Sequence, residues 1–187
     1  MIDWSNVFDD ALPYEPFLDR YSTSVQRDRW QTMHSKFSLT NPQYNLLAGF
    51  SRRMPVLCLA GTWCGDCINQ CPVFDHFAKA GAQIELRFLD REAKPEIRSL
   101  LAINGGHRVP VVVFLSEDWF EVARFGERTL STYRRMVAEQ LGSSCPTGFV
   151  PLADEVISAV TADWLGEFER AQLILRLSSR LRARYGD

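Results

Sequence analysis

The sequence lacks the features that would place a protein in a membrane or mark it for export. No stretch approaches the roughly 20 apolar residues that cross a bilayer, and the opening residues lack the basic start and apolar run of a secretory signal. The sequence also has no large excess of charge of either sign, since it contains 21 Lys and Arg and 23 Asp and Glu, for a net charge of −2. These absences argue against a membrane or nucleic-acid partner and predict a cytoplasmic protein.

The five cysteines are unevenly placed. Three of the five cysteines are Cys64, Cys67 and Cys71, which does not resemble the spread framework of bridges in a small secreted protein. The odd count leaves at least one free thiol unless chains cross-link. With 187 residues and 46% apolar content, the chain can bury one full core with a helical appendage, but hardly two independent domains.

Hydrophobic periodicity divides the chain into three regions. Residues 1–51 are predicted to form a helical N-terminal extension, residues 52–142 an α/β domain, and residues 143–187 a helical C-terminal extension that packs on the domain. The predicted strands lie at 55–60, 84–89, 110–115 and 120–125, and the predicted helices of the domain at 68–80, 96–102 and 130–141. The helix between the first two predicted strands requires them to be parallel, whereas the short link between the last two allows an antiparallel hairpin. The sequence therefore predicts a mixed sheet of four to five strands in a three-layer α/β fold.

The strongest functional signal is the segment Trp63–Cys67, which reads Trp-Cys-Gly-Asp-Cys between an apolar strand and a helix. Two thiols in a Cys-x-x-Cys turn are placed to open and close one disulfide, which predicts redox chemistry. A thiol at a strand-to-helix turn faces the unpaired N–H groups and the positive end of the helix, which stabilise its thiolate. Cys64 is therefore the predicted nucleophile.

The segment Trp63–Cys67, Pro72 five positions later, and Val109 with Pro110 at the start of a later strand together resemble the thioredoxin superfamily. The segments 85–91, 105–115 and 124–126 are further similar to a bacterial branch of thioredoxin-like proteins with a Trp-Cys-Gly-Asp-Cys site. The resemblance covers residues 54–142 well and the two ends poorly. It implies a thioredoxin-like fold and a cis peptide bond before Pro110.

The resemblance also implies an activity and a set of partners. It implies a protein-disulfide reductase in which Cys64 attacks, Cys67 resolves, and no cofactor or metal is needed. Trp63, Val109 and Pro110 are then expected to contact the substrate. The expected partners are disulfide-bearing proteins and, as electron donor, a reductase or a small thiol.

Two residues depart from the thioredoxin pattern. Thioredoxins generally place a buried Asp six residues before the first site cysteine, where this chain has Cys58, and commonly a proline where it has Asp66. A carboxylate near Cys64 opposes thiolate formation and makes the dithiol pair more reducing. Asp66 is also a candidate proton acceptor for Cys67, and we expect Trp63, Gly65 and Asp66 to modulate the pair.

A non-catalytic binding module and a cysteine metal or cluster site remain open as alternatives. A possible set of metal ligands consists of Cys64, Cys67, Cys71 and His76. However, His76 lies roughly 13 Å along a regular helix from Cys67, which is too far for one mononuclear metal site. The three thiols of Cys64, Cys67 and Cys71 alone could bind a metal cluster that is shared between two chains. Cys71 could also serve as an accessory thiol, although packing as a small apolar residue is the simpler interpretation.

The remaining candidates have mainly structural interpretations. Cys58 is expected to be a buried strand residue, Cys145 an inert loop thiol, and His107 a loop residue that could approach the cysteines. The C-terminal extension must bury an apolar face that includes Trp164, Phe168, Ile174 and Leu177. Packing of that face on Trp30 and Phe37 of the same chain is expected, in a monomer or weak dimer.

Overall fold

The computed structural model describes residues 2–141 and 153–186. Its sheet contains the strands β1 (Met54–Ala60), β2 (Ile84–Asp90), β3 (Val111–Leu115) and β4 (Glu121–Gly126), in the order β2-β1-β3-β4. β1 pairs in parallel with β2 and antiparallel with β3, and β3 pairs antiparallel with β4. The predicted mixed sheet is therefore confirmed.

The two central strands are buried along their whole length, which is why they read as continuous apolar runs. β4 is only partly buried, as expected for an edge strand. The helices are α1 (Trp4–Asp9), α2 (Tyr14–Tyr21), α3 (Ser24–Lys36), α4 (Asn41–Ala48), α5 (Gly65–Ala80), α6 (Pro95–Leu100), α7 (Leu130–Leu141), α8 (Asp154–Leu177) and α9 (Ser179–Tyr185). Helices therefore flank the sheet and extend the chain at both ends, as predicted.

The N-terminal helices share a core with the sheet. The indole of Trp30 on α3 is fully buried and contacts Phe17 and Phe88, the latter on β2. Leu12 adds a short antiparallel bridge to Phe88, with its N–H donating to the Phe88 carbonyl at 2.8 Å. This packing joins residues 1–51 closely to the α/β region, and the division of the chain at residues 51 and 142 stays a prediction.

The C-terminal helix α8 packs within the chain, but not on the surface expected from the sequence. Trp164 and Phe168 are fully buried against aromatic rings of α5, β3 and β4, namely Phe74, Phe77, Phe114 and Phe125. The expectation of packing on Trp30 and Phe37 was wrong, because α3 lies against α5 on the β2 side and α8 lies toward β4. Ile174 and Leu177 were expected to be buried and are 39% and 79% exposed.

None of the helices in the described part of the chain combines the length and the apolar character that crossing a bilayer demands.

Candidate active site

Cys64 lies at the turn between β1 and α5, at the N-cap position of the helix. Its N–H donates to the Gly61 carbonyl at 3.0 Å, and its own carbonyl accepts from the Ile68 N–H at 3.0 Å. The predicted helix began only at Ile68, because the intervening residues carry no apolar period. In the structure α5 begins at Gly65, so the Cys64 thiol stands at the positive end of a longer helix.

The two thiols of the Cys-x-x-Cys turn differ in exposure. Cys64 is partly exposed, whereas Cys67 is fully buried one helical turn further on. The Cys64 sulfur lies 3.5 Å from the Val109 carbonyl oxygen, and the Val109–Pro110 peptide bond is cis. The structure therefore brings Cys64, Val109 and Pro110 together, as the resemblance implied.

The hydrogen bond between the two site thiols shifts their pKa values in opposite directions. It raises the pKa of Cys64, and partial burial and the nearby Asp66 carboxylate raise it further. Burial is the largest influence on Cys67 and acts to raise its pKa, but hydrogen bonds from Cys64, Cys71 and the Gly61 backbone lower it to about 5. The hydrogen bond therefore favours the thiolate of Cys67 over that of Cys64, whereas the helix end alone favours the Cys64 thiolate.

Asp66 does not act as an isolated charge beside the thiols. Two nitrogens of the Arg128 guanidinium contact the Asp66 carboxylate, with Nε 3.1 Å from Oδ1 and Nη2 2.7 Å from Oδ2. This bidentate ion pair offsets part of the field of Asp66 at the two sulfurs. Arg128 was missed from the sequence, because it is 62 residues away along the chain and belongs to no motif.

A buried carboxylate extends this network. Glu127 is 5% exposed and accepts hydrogen bonds from Arg108 at 3.0 Å, from the Tyr133 hydroxyl at 2.9 Å and from Arg128 at 3.4 Å. Arg108 directly precedes Val109, so the network joins both sides of the Cys64 turn.

Trp63 covers one side of the site. Its ring is half exposed, and the Arg91 guanidinium carbon lies 4.7 Å from the ring centroid. A Cβ at Gly61 would come within 2.8 Å of the indole, so this position suits only glycine while the ring lies there. A Cβ at Gly65 would meet no atom within 4 Å, which leaves open space beside the thiols.

Two further thiols lie beneath the reactive pair. Cys58 and Cys71 are fully buried, and their sulfurs are 3.8 Å apart. Cys71 also hydrogen bonds to Cys67, one turn away on α5. Cys58, the residue in place of the thioredoxin Asp, is therefore buried as expected but contacts a second thiol. Cys145 lies outside the described residues.

The histidines do not join the thiols. The His76 ring stacks on His34 at 4.2 Å between centroids, and its Nε2 lies 3.0 Å from the His34 carbonyl oxygen. His107 is exposed, and its carbonyl accepts from Arg91 at 3.2 Å. Within residues 2–141 and 153–186, no group of three or more His, Cys, Asp or Glu is arranged to hold a metal ion.

Two buried tryptophans connect the terminal extensions to the site. The Trp30 indole N–H donates to the Thr62 carbonyl at 2.9 Å, in the turn that precedes Cys64. The Trp164 indole N–H donates to Gln70 Oε1 at 3.0 Å, and Gln70 in turn donates to the Glu127 carbonyl at 3.0 Å. A buried indole needs such a partner, but the sequence does not say which group supplies it.

Comparison with known proteins gives one family. The sequence model of the thioredoxin family, described as "Thioredoxin", matches residues 12–140. No curated protein matches the sequence.

Two similar solved structures cover most of the chain, and a third covers about half of it. A Pseudomonas aeruginosa protein of unknown function, with a crystal structure at 1.5 Å, has a TM-score of 0.67 at 20% identity over 89% of this chain and 99% of its own. An HIV epitope scaffold has a TM-score of 0.65 at 20% identity over 88% of this chain and 99% of its own. Fasciola hepatica thioredoxin has a TM-score of 0.36 at 23% identity over 51% and 88%. At these identities, the first two similarities show the fold alone.

Proposed function

Because this chain belongs to the thioredoxin family, we propose that it is a thiol–disulfide oxidoreductase that reduces protein disulfides through Cys64 and Cys67. The observation that carries the proposal is the contrast between the two thiols. Cys64 is partly exposed at the start of α5, and Cys67 is buried within hydrogen-bonding distance behind it. One sulfur can meet a partner, and the other can complete an internal disulfide.

The first step is attack by Cys64. The hydrogen bond between the thiols lets the Cys64 proton move to Cys67, which transfers the negative charge to the exposed sulfur. Cys64 then attacks one sulfur of the partner disulfide, a mixed disulfide forms, and the partner's S–S bond breaks. The leaving sulfur takes the proton now carried by Cys67.

The second step releases the partner. The Cys67 thiolate attacks the Cys64 sulfur, the internal Cys64–Cys67 bond forms, and the mixed disulfide breaks. The second partner sulfur leaves as a thiolate and takes a proton from solvent. The partner has gained two electrons and two protons, one from the protein and one from solvent, and the thiol and thiolate of the reduced pair have become one disulfide.

The surface around Cys64 suits an extended peptide. The Val109 backbone lies beside the Cys64 sulfur, the open space next to Gly65 gives access, and the half-exposed Trp63 ring offers a flat apolar wall. We infer that Trp63, Val109 and Pro110 form the substrate contact. A partner segment would lie across them with its disulfide toward Cys64.

The direction of electron flow follows from the charges around the pair. Asp66 raises the pKa of both thiols, and a less stable thiolate makes the reduced pair less stable and the couple more reducing. The hydrogen bonds to Cys67 act in the opposite sense, against its burial. The net pKa of Cys67 is lowered, so the expectation of a reductant rests on Cys64, whose pKa is raised by its hydrogen bond to Cys67, by burial and by Asp66. Electrons would return from a reductase or a small thiol, in a reducing compartment such as the cytoplasm.

The proposal is tested by catalysis of insulin disulfide reduction with dithiothreitol as donor. We expect turnover well above the rate with dithiothreitol alone, lost when Cys64 is alkylated and retained in the Cys145→Ser control. A rate equal to that of dithiothreitol alone would contradict the proposal. A binding module would instead keep its partner after alkylation.

A further inference from the structure

The reactive pair stands above two buried thiols that the proposed reaction does not use. Cys58 on β1 and Cys71 on α5 are both 0% exposed, and their sulfurs face each other at 3.8 Å. Cys71 also hydrogen bonds to Cys67. The four sulfurs therefore form a continuous path, which we call the thiol column, in the order Cys64, Cys67, Cys71 and Cys58.

The backbone spacing along this column allows neighbouring bonds. Cys67 and Cys71 are four residues apart on one helix, so their Cα atoms are separated by about 6 Å, within the range spanned by disulfides. Their Cβ atoms are about 5 Å or more apart in a regular helix, so a bond between them requires a local distortion of α5. Cys71 and Cys58 connect α5 to the central strand beneath it. The contact between their sulfurs is longer than a bond, so the two side chains must rotate for the bond to form.

We propose that the thiol column is an internal disulfide relay that stores a second pair of electrons, so that a fully reduced chain reduces two partner disulfides. The inference rests on the proposed function, since the relay starts from the Cys64–Cys67 disulfide left by the first partner. Its end product is a buried Cys58–Cys71 disulfide beneath a reduced Cys64–Cys67 pair.

Each transfer is a thiol–disulfide exchange that needs no further oxidant. In the first, Cys71 attacks the Cys67 sulfur, the Cys67–Cys71 bond forms, the Cys64–Cys67 bond breaks, and Cys64 receives the proton given up by Cys71. In the second, Cys58 attacks the Cys71 sulfur, and the Cys58–Cys71 bond forms. The Cys67–Cys71 bond breaks, and Cys67 receives the proton of Cys58. One S–S bond is lost and one is formed each time.

Burial determines how such a relay works. A partner or small disulfide cannot reach Cys58 or Cys71 directly, since neither has exposed surface. Burial also raises the pKa of both thiols, which makes their thiolates scarce and the transfers slow. The second pair of electrons should therefore become available more slowly than the first.

The relay is tested by counting thiols during oxidation. The Cys145→Ser chain is fully reduced, freed of reductant without oxygen, and mixed with excess glutathione disulfide. Samples are quenched in acid, unfolded, alkylated and weighed by mass spectrometry. We expect a fast loss of two alkylatable thiols and then a slower loss of all four. A final count of two lost thiols, with Cys58 and Cys71 fully alkylated, would overturn the relay and leave the proposed function intact. No loss of Cys64 and Cys67 would overturn both.

A second variant checks the route. In Cys67→Ser with Cys145→Ser, the path from Cys64 is broken, and we expect the Cys58–Cys71 disulfide not to form. Its formation at the parent rate would mean direct oxidation and would overturn the relay.

Peptide mapping needs extra cleavage, because no Lys or Arg lies between Arg53 and Lys79 and trypsin leaves all four thiols in one peptide. Cutting after Trp63 and before Asp66 separates Cys58 and Cys64 from the segment that carries Cys67 and Cys71. Fragmentation of the linked peptides then identifies which sulfur of that segment is bonded to Cys58.

Discussion

The rim and the floor of the site both include residues of α5, but they have opposite surroundings. The rim, which consists of Trp63, Cys64, Asp66 and Arg128, is partly exposed and carries paired charges. The floor, which consists of Cys58, Cys67 and Cys71, is fully buried in the apolar core. The start of α5 faces solvent and its next turns face the sheet, so one element separates the sulfur that meets partners from the sulfurs that hold electrons.

Different physical terms therefore control the two regions. On the rim, ion pairs and solvent exposure determine how readily Cys64 becomes a thiolate and which partner groups its sulfur can reach. On the floor, desolvation and sulfur–sulfur hydrogen bonds decide where charge and protons reside. Substitutions on the rim should alter the rate of disulfide reduction and the redox potential. Substitutions on the floor should alter the stability of the fold and the number of electrons that the chain can store.

Replacement of either site cysteine should have the largest effect and should distinguish rim from floor. We expect Cys64→Ser and Cys67→Ser each to lower insulin reduction by more than about 100-fold, because the reaction needs both sulfurs. Only Cys67→Ser should accumulate a mixed disulfide, since its rim thiol can attack but nothing resolves the product. Trapping of a disulfide peptide, seen as a mass increase, measures this. Equal trapping by the Cys64→Ser chain would assign the attack to Cys67.

A carboxylate introduced into the floor should destabilise the fold strongly. We expect Cys58→Asp to lower the free energy of unfolding by about 3 kcal/mol at pH 7, because it buries a charge where Cys58 has no exposed surface. Burial raises the pKa of the new carboxyl in the folded state. The penalty should therefore be small below about pH 4 and should grow as the pH rises.

Urea unfolding at several pH values measures this effect, and Cys58→Ala serves as the control, with a cost of about 1 kcal/mol and no pH dependence of this kind. A charged carboxylate tolerated at neutral pH without loss of stability would show that the floor is more polar than its burial indicates.

The ion pair on the rim should tune the redox potential in both directions. Asp66→Asn removes the carboxylate beside the thiols and leaves the Arg128 charge there with only Glu127 as its ion-pair partner, which should lower the Cys64 pKa, stabilise the reduced pair and raise the potential. Arg128→Gln leaves the Asp66 carboxylate uncompensated and should lower the potential. For partly exposed charges worth about 1 kcal/mol, each shift should be about 20 mV.

Titration in dithiothreitol buffers and the pH dependence of Cys64 alkylation measure these shifts, and the double variant should lie close to the parent. Asp66→Asn without effect on either the thiol titration or the exchange rate would contradict the electrostatic role of Asp66.

The smallest effect is expected at the apolar wall of the rim. Trp63→Ala should lower kcat/KM for insulin by about 5-fold, or roughly 1 kcal/mol, with little change in potential, because it removes a contact surface and not a reacting group. Phe120→Ala is the matched control, since Phe120 is 56% exposed beneath Arg180 in the β3–β4 hairpin, at the opposite end of β3 from Pro110. Equal losses in the two variants would remove Trp63 from the substrate contact.

Elements with a clear hydrophobic pattern could be predicted closely from the sequence. The predicted helix at 130–141 agrees with α7 at both ends, and each predicted strand is within one residue of the observed bounds. The start of α5 was misplaced because Gly65, Asp66 and Cys67 show no apolar period. The helices of the C-terminal extension could be predicted from their amphipathic face. An amphipathic pattern does not say which surface covers the apolar face, and the predicted packing partner of Trp164 was therefore wrong.

The contacts that shape the candidate site were harder to foresee. The two site cysteines stand in one short motif, whereas Arg128 reaches Asp66 only because β4 and α7 bring it back to the start of α5. Cys58 and Cys71 are 13 residues apart, and their contact depends on how α5 lies on β1. Long-range pairs of this kind leave no local trace in one sequence.

A redox titration of the Cys145→Ser chain in dithiothreitol buffers of defined potential, with alkylation to identify the cysteines that pair, tests the proposed disulfide reduction most directly. We expect a reversible two-electron couple between Cys64 and Cys67 near or below about −270 mV. A couple far above that value would contradict the assignment as a reductant and would show that stabilisation of the Cys67 thiolate by its hydrogen bonds outweighs destabilisation of the Cys64 thiolate. The absence of any Cys64–Cys67 couple would contradict the proposed function itself.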